Sequence, residues 1–440
     1  MFRNSISLAL LCAAVAFPIG AFSDTLGADS GTHGATLSST SNPVIQWNKT
    51  LLTIVRTPGA QSPTVHATHS FALMHAAIYD AVNSIDRSHQ PYLIMASAVS
   101  DHASRDAAAA AAAHEVLVTL YPTFQVTLDA QLSNSLAQVP DGPGKRAGVS
   151  VGRNVADYIL AIRNADGSGA EPITYVFGTA PGDYQSTPPN FPAQPVFTHW
   201  SHVTPFALEF ASQFRPGPPP ALTSEAYTDA FNEVKAVGVA HSTAATADQA
   251  LTGLFWNGAI QNYWNEIAQT AAQSRQLTTT QSARLFALLN LTLADGVIAF
   301  YDAKYTYNFW RPVTAIRAAD LDANPETLRD PAWLPEAGKT APDPSYPGAH
   351  AVISAGGAAV LKSYFRRSRM PFTVTSESLL GVARSFETFM AAATEASLSR
   401  VYAGVHFRSD EVAGERLGRA VADFVLDHFL TPVDSEEGGD

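Results

Sequence analysis

The sequence predicts an all-α protein built of helical bundles that long irregular loops connect. Apolar residues recur at helical spacing through most of the chain, and no alternating strand pattern of useful length is evident. Two stretches rich in proline and glycine, residues 166–222 and 320–346, interrupt this pattern. Loops of this length usually serve a function or wrap across a scaffold. A chain of 440 residues has ample material for a large core.

The N-terminus has the pattern of a secretory signal. Residues 1–24 contain Arg3, then a mostly apolar stretch and a small-residue cleavage region. The single cysteine, Cys12, lies in this segment, so an exported protein would have neither thiol nor disulfide. We therefore expect a secreted or periplasmic protein; the alternative is an uncleaved apolar N-terminus. Residues 25–44 are predicted to be a flexible leader.

The region 45–240 is predicted to be helical apart from the first loop. Apolar spacing, together with an alanine run of strong helix preference, predicts helices at 69–85, 101–121, 123–137, 145–162 and 224–237. Within the loop 166–222, we expect the segment 199–206 to be ordered.

The region 241–430 is predicted to be a second helical unit. Its apolar spacing predicts helices at 246–256, 262–273, 280–305, 350–365, 376–396 and 409–429. The loop 320–346 leads directly into a glycine-containing turn. Residues 431–440 form an acidic tail that we expect to be disordered.

The overall charge limits the possible partners. The net charge is −12 and only 15% of residues are charged, which argues against nucleic acid or an anionic membrane surface as a partner. The apolar N-terminal run is too short for a convincing membrane span, and no series of spanning helices follows it. We therefore expect no stable membrane insertion, while the oligomeric state stays open.

Three short segments in the last third of the chain gather cationic and histidine side chains. The residues of interest are, in chain order, Lys304, Arg311, Gly348, Ala349, His350, Arg400, His406 and Asp410. A lysine and an arginine seven residues apart fall about two turns along one helical face, so both are expected to reach one point. Arginine presents fixed donors for an oxyanion, and lysine adds a movable point charge. The segments therefore predict a pocket for a tetrahedral oxyanion.

The turn and the last segment add backbone donors and an oriented histidine. A glycine-containing turn ahead of His350 allows backbone N–H groups to approach the same anion. His406 lies four residues before Asp410, the spacing at which a carboxylate on a helix can hold the second nitrogen of an imidazole. One histidine would thus be aimed at the central atom of the anion.

These segments resemble the signature shared by vanadium-dependent haloperoxidases and type 2 phosphatidic-acid phosphatases. That signature reads Lys-x6-Arg-Pro, then Pro-Ser-Gly-His, then Ser-Arg-x3-Gly-x-His-x3-Asp. The first and third blocks match completely at residues 304–312 and 399–410. In the second block, Gly348 and Ala349 stand where the family usually has serine and glycine. Weaker similarity to bacterial haloperoxidases extends through residues 311–317.

The resemblance implies a fold of two four-helix bundles with the catalytic region in residues 241–430. It implies that Arg311 and Arg400 clamp the anion, and that Lys304 binds and polarises one of its oxygens. It implies that His406 is the metal ligand of a vanadate cofactor, or the nucleophile of a phosphatase. The remaining implied roles are a general acid/base, an orienting carboxylate and two backbone donors, at His350, Asp410, Gly348 and Ala349.

The resemblance also implies the chemistry. With vanadate, which phosphate can replace in the same site, the enzyme would use hydrogen peroxide to oxidise a halide to hypohalous acid, which halogenates a small organic acceptor. One alternative is a soluble secreted acid phosphatase that acts through a phosphohistidine. Another is a degenerate oxyanion-binding helical protein, with the change at Gly348 marking lost catalysis. The large N-terminal half and the similarity at 311–317 favour the haloperoxidase.

Two positions bear on how active such an enzyme would be. A serine at the position of Gly348 would add a hydrogen bond to the anion worth roughly 1–3 kcal/mol. Its absence is expected to weaken oxyanion affinity by roughly one or two factors of ten. If Asp343 lines the pocket, its negative charge would disfavour halide, so we expect bromide or iodide rather than chloride.

Overall fold

The computed structural model describes residues 42–367 and 369–433. The predicted signal sequence, almost all of the predicted leader and most of the acidic tail lie outside the described residues. Helix α1 begins at Pro43, inside the segment predicted to be leader, because Asn42 caps it by accepting a hydrogen bond from the Val44 N–H at 3.0 Å.

The prediction of an all-α protein is confirmed. Within the described ranges there are thirteen α-helices, one two-stranded sheet and three short 3-10 helices at Pro122–Phe124, Trp200–His202 and Ala319–Leu321. The α-helices are α1 (Pro43–Arg56), α2 (Ala67–Asp86), α3 (Arg105–Leu120), α4 (Gln125–Ala137), α5 (Pro143–Arg163), α6 (Glu225–Val237), α7 (Ala247–Phe255), α8 (Ile260–Ser274), α9 (Thr279–Tyr307), α10 (Pro312–Arg317), α11 (Ala349–Phe365), α12 (Phe389–Tyr402) and α13 (Arg408–His428).

Helix α9 is common to two four-helix groups. It packs with α2 and α3 on one side, where α5 joins the group by packing on those two helices. On the other side it packs with α11 and α13, and α12 joins that group by packing on α11 and α13. It is the one described helix that is long and apolar enough to cross a membrane, yet 94% of its most apolar window is buried inside the protein. Its apolar residues therefore form the core between the two groups.

Local signals determine where α9 begins and ends. The hydroxyl of Thr278 accepts the Gln281 N–H, and the Gln281 side chain accepts the Thr278 N–H. The helix ends at Tyr307 because Asn308 has a left-handed φ of 49°. The prediction that Lys304 and Arg311 share one helical face is therefore wrong, since the helix stops between them.

The prediction of a helix over 376–396 is wrong in its first half. Strands β1 (Phe372–Thr375) and β2 (Ala383–Phe386) pair antiparallel there, and α12 follows only after Thr388 caps it. Strand β1 alternates buried and exposed residues and is rich in β-branched types, which favours a strand. Four residues are too few for that alternation to stand out against a helical pattern.

A buried carboxylate of α9 holds the first long loop. Asp295 accepts hydrogen bonds at 2.6–2.7 Å from three successive backbone N–H groups, those of Phe206, Ala207 and Leu208. Burial raises the pKa of Asp295 to about 6, against the lowering effect of these donors. The loop is thereby fixed although its only regular element is the 3-10 helix at Trp200–His202, within the segment expected to be ordered.

Helices α11 and α13 approach closely because glycines face the contact. A Cβ at Gly418 would lie 2.1 Å from the carbonyl oxygen of Val352, and one at Gly414 would lie 2.5 Å from that of Gly348. Any larger residue at these two positions would push the helices apart. This approach brings the first turn of α11 beside the first turn of α13.

The shared position of α9 predicts a large cost for a cavity inside it. Leu289→Ala, at a fully buried position of α9, is expected to lower the free energy of unfolding by about 2–5 kcal/mol. Leu380→Ala, at a position 91% exposed, is the matched control and is expected to change it by less than about 0.5 kcal/mol. Urea unfolding followed by circular dichroism measures both, and similar values for the two variants would contradict the packing described.

Candidate active site

The three motif segments meet within the group formed by α9, α11, α12 and α13. Lys304 lies in the last turn of α9, and Arg311 directly precedes α10. Gly348 caps α11, and Ala349 and His350 form its first turn, where backbone N–H groups have no intrahelical acceptor. The remaining predicted residues lie at the end of α12 and the start of α13: Arg400, His406 and Asp410.

Asp343 binds two of the predicted cations. Arg311 donates through Nε to the backbone oxygen of Asp343 at 2.8 Å and through Nη2 to its carboxylate. Lys304 places Nζ 3.6 Å from the same carboxylate and donates to the carbonyl oxygens of Pro344 and, at 3.2 Å, Ser345. All three donors of the ammonium group thus face protein acceptors. Burial lowers the pKa of Lys304 to about 8, although Asp343 opposes this shift.

His406 is a neutral imidazole with an identifiable tautomer. Its Nε2 lies 2.9 Å from Nη1 of Arg311, which can only donate, so Nε2 carries the lone pair. Its Nδ1 lies 3.1 Å from Oδ2 of Asp410, so the proton assigned from these partners is on Nδ1. Burial, with Arg311 and Lys304 adding, holds the pKa of His406 well below its usual range.

Asp410 has two structural tasks. Its Oδ2 accepts hydrogen bonds from His406, from the Ser345 hydroxyl at 2.6 Å and from the Phe407 N–H at 3.0 Å. The Phe407 bond closes the first turn of α13, while the His406 bond sets the imidazole ring. His406 itself precedes α13, so this contact does not depend on helical spacing. Burial raises the pKa of Asp410 to about 6.

His350 and Arg400 lie on a cavity of about 400 Å³. His350 donates from Nε2 to the Trp256 carbonyl at 2.9 Å, which leaves the lone pair on Nδ1. Burial, with the charge of Arg400 adding, holds the pKa of His350 well below its usual range. Arg400 donates from Nη2 to Asn257 at 3.2 Å. Its Nε and Nη1 are buried and have no hydrogen-bond partner in the part of the chain that the structure describes.

The two long loops supply most of the cavity wall. The contributing residues are Thr187, Pro188, Pro189, Asn190 and Pro192 from the first loop and Lys339, Thr340, Ala341 and Pro342 from the second. Asp343 follows Pro342 but is turned inward onto the cations and does not line the cavity. The condition on which the preference for bromide or iodide depended is therefore not met.

Glu411 is a member of the cluster that sequence reasoning missed. It is buried, its Oε1 lies 3.8 Å from Nδ1 of His406, and Ser397 donates to its Oε2 at 3.4 Å. Burial, with the charge of Asp410 adding, raises its pKa well above the usual range. The one signal for it in the sequence was its position directly after Asp410, in the first turn of the predicted helix 409–429.

The backbone N–H of Gly348, predicted as a donor to the anion, already has a protein acceptor. It donates to the Asp410 carbonyl at 2.9 Å.

The donor set fits a tetrahedral oxyanion. Two guanidinium groups, one ammonium group and the lone pair of an imidazole converge where helix α11 begins. The two buried donors of Arg400 that lack a partner would otherwise cost free energy, and an oxyanion in the cavity would satisfy them. The residues present therefore suit vanadate or phosphate.

Comparison with known proteins supports the same class. Residues 284–435 match the family model of the VCPO second helical-bundle domain. Vanadium chloroperoxidase of Curvularia inaequalis is 25% identical over 370 residues, which cover 64% of this chain and 60% of that protein. This chain therefore spans less than two thirds of the length of that relative. These matches confirm the resemblance to the vanadium haloperoxidases.

Solved structures show the same fold. The crystal structure of the first bacterial vanadium-dependent iodoperoxidase superposes with a TM-score of 0.74 at 24% identity, over 93% of this chain and all of that one. A holo-type bacterial vanadium-dependent chloroperoxidase superposes with a TM-score of 0.63 at 16% identity, over 89% of this chain and 93% of that one. The helical fold of the vanadium haloperoxidases is thus present along almost the whole chain.

Asp343 is predicted to be essential for stability. Asp343→Asn removes the negative charge that binds Arg311 and Lys304, and is expected to lower the free energy of unfolding by about 3–5 kcal/mol because two buried cations lose their counter-ion. Asp320→Asn, which breaks an exposed pair with Arg329, is the matched control and is expected to cost less than about 1 kcal/mol. Urea unfolding distinguishes them, and equal values would contradict the role given to Asp343.

Asp410 is predicted to make stability depend on pH. Its folded pKa of about 6 lies above its usual value of 3.8, so its contribution is fully present below about pH 4 and is lost as the pH rises through about 6. The difference in unfolding free energy between the wild type and Asp410→Asn should therefore fall from pH 4 to pH 7. Urea unfolding across that range measures it. A difference that stays constant, or rises, would show that Asp410 ionises normally in the folded protein.

Proposed function

We propose that this protein is a vanadium-dependent haloperoxidase, which uses hydrogen peroxide to oxidise a halide to hypohalous acid and so halogenates small organic acceptors. The observation that carries the proposal is the neutral His406, whose Nε2 lone pair points at Arg311 beside a buried cation cluster. Such a lone pair is what a metal ligand must offer. The matches to a vanadium chloroperoxidase and a vanadium-dependent iodoperoxidase support the same activity.

The residues that would hold vanadate follow from their free or movable donors. His406 Nε2 would be the metal ligand, while the unpartnered Nε and Nη1 of Arg400 would bind oxygens. The first-turn N–H of Ala349 would add a donor, while Arg311 and Lys304, whose own donors bind protein acceptors, would supply positive charge beside the anion. When bound, vanadate would supply Lewis-acid activation of hydrogen peroxide toward halide without a change in oxidation state.

The chain's own groups then have defined tasks. Asp410 keeps the His406 proton on Nδ1 and so keeps Nε2 available. His350, neutral and with its lone pair on Nδ1, can take a proton from a peroxide in the cavity. Asp343 holds Lys304 and Arg311 in place at the inner end of the site. The two long loops form most of the wall of the cavity on which His350 and Arg400 lie.

A phosphatase is the second candidate, since the Nε2 lone pair of His406 would also suit attack on phosphorus. That reaction needs a general acid to protonate the leaving group. His350 suits this task poorly, because its lowered pKa keeps Nδ1 unprotonated and its Nε2–H already binds the Trp256 carbonyl. Nδ1 of His350 therefore has a lone pair to accept a proton from peroxide but no proton to give to a leaving group.

We also propose that the protein acts outside the cytoplasm. The pattern of residues 1–24 is that of a secretory signal, which supports export. Cleavage of that segment would remove Cys12 and leave a chain without thiols, which hypohalous acid would otherwise oxidise.

The test is bromide oxidation by the purified protein with hydrogen peroxide and a dye that is brominated, before and after orthovanadate is added. We expect activity only with vanadate, and a loss of at least about 100-fold in His406→Ala because the metal ligand is removed. His428→Ala, at an exposed histidine of α13, is the matched control and should keep full activity.

Two other outcomes would move the assignment. Hydrolysis of p-nitrophenyl phosphate that vanadate inhibits, without bromide oxidation, would favour the phosphatase. Binding of vanadate or phosphate with neither activity would favour the degenerate oxyanion-binding protein.

A further inference from the structure

Gly348 and Glu411 compete for one volume at the start of α11. A Cβ added to Gly348 would lie 2.2 Å from Oε1, 2.6 Å from Cδ and 2.8 Å from Oε2 of Glu411. All three distances are shorter than real Cβ contacts, and they involve the whole carboxyl group rather than one atom at its tip. The carboxyl group of Glu411 thus occupies the space into which a side chain at position 348 would extend.

Glu411 has little freedom to leave this position. Its side chain is 2% exposed in the interior of the helix group, and α13 packs tightly on α11 through Gly414 and Gly418. Ser397 is the only hydrogen-bond donor to its carboxyl group among the described residues, and Oε1 has no hydrogen-bond partner there. A buried carboxyl oxygen without a partner costs free energy, so the placement of Glu411 requires a functional explanation.

The location of Glu411 indicates the task. Its Oε1 lies 3.8 Å from the ring of His406, and the residue interacts electrostatically with Arg400 and Lys304. The position also adjoins the first turn of α11, whose N–H groups attract anions. Glu411 therefore lies beside His406 and the first turn of α11, behind the cavity that His350 and Arg400 line, in the space that a side chain of residue 348 would otherwise fill.

We propose that Glu411 is a specificity-determining residue of the oxyanion pocket, whose carboxyl group replaces a side chain at position 348 and makes glycine obligatory there. This inference rests on the proposed oxyanion site. In place of a small neutral donor, the pocket then has a bulky carboxyl group at this position, which leaves less room and less attraction for a tetrahedral oxyanion. Positions 348 and 411 should consequently behave as one coupled unit.

The first experiment measures thermal unfolding of the full chain without any added oxyanion. Gly348→Ser is expected to lower Tm by about 3 °C or more, because the new side chain collides with Glu411. The double variant Gly348→Ser/Glu411→Ala should recover most of this loss, because the alanine vacates the volume. Gly348→Ser/Glu411→Gln keeps the shape of the side chain and should recover none of it.

A second glutamate on the same helix supplies the matched control. Glu415→Ala, one turn further along α13, removes a carboxylate that pairs with Arg419 and should not relieve Gly348→Ser. If Gly348→Ser alone does not fold, recovery of folded protein in the double variant Gly348→Ser/Glu411→Ala would support the proposal in the same way. Full stability of Gly348→Ser alone, rescue by Glu411→Gln or rescue by Glu415→Ala would each overturn the proposal.

The second experiment measures the affinity for orthophosphate by calorimetry. The double variant Gly348→Ser/Glu411→Ala is expected to bind about 10-fold more tightly than the wild type, because a hydroxyl donor replaces a carboxyl group beside the anion. Unchanged or weaker binding would overturn the placement of Glu411 at the oxyanion. Failure of the wild type to bind either orthophosphate or orthovanadate would instead count against the proposed function, while the unfolding experiment would still test the coupling of positions 348 and 411.

Discussion

The structure of the site depends on the balance of charge among side chains that are almost fully buried. Three cations, Lys304, Arg311 and Arg400, face three buried carboxyl groups. Unpaired charges would be too costly in such a place, so the carboxyl groups must lie close to the cations. Each carboxyl group does so in a different way. Asp343 binds two of them directly, whereas Asp410 acts through the ring of His406. Of these three cations, only Arg400 has donors without a partner among the described residues, and Arg400 lines the cavity.

The same scaffold that buries these charges also controls access to them. Helix α9 places Lys304 at the end of a fully packed core, while its Asp295 anchors the first long loop. That loop and the second one then form the cavity wall around His350 and Arg400. A single helix thus connects the core, the loop and the site. The loops are proline-rich and irregular. A cavity wall built from such backbone must be held by side chains from a rigid element.

The surroundings of His350 and His406 determine which ring nitrogen of each can react. Both are neutral because burial and nearby cations disfavour the imidazolium form. Yet one presents Nε2 and the other Nδ1, because Asp410 fixes the first ring and the Trp256 carbonyl fixes the second. The partner on the opposite nitrogen therefore decides which atom of each ring can act. The lone pair on Nε2 of His406 can therefore serve a ligand or a nucleophile, whereas the lone pair on Nδ1 of His350 can accept a proton.

Much of the fold was predictable from local patterns, since apolar spacing and helix preference located most helices within a few residues of their observed ends. The motif residues were also predictable as a set, because their chemical types and order indicate an oxyanion pocket. Short-range signals failed where they were weak, as in the four-residue strands of the hairpin. They also failed between Lys304 and Arg311, which were expected to share one helical face, because the left-handed Asn308 ends α9 between them. The sequence by itself therefore determined the helical class and indicated candidate residues for an oxyanion pocket. Only the tertiary structure decided that Asp343 faces the cations and that Glu411 fills the space beside Gly348, because both contacts join segments whose meeting depends on how α9, α11 and α13 pack.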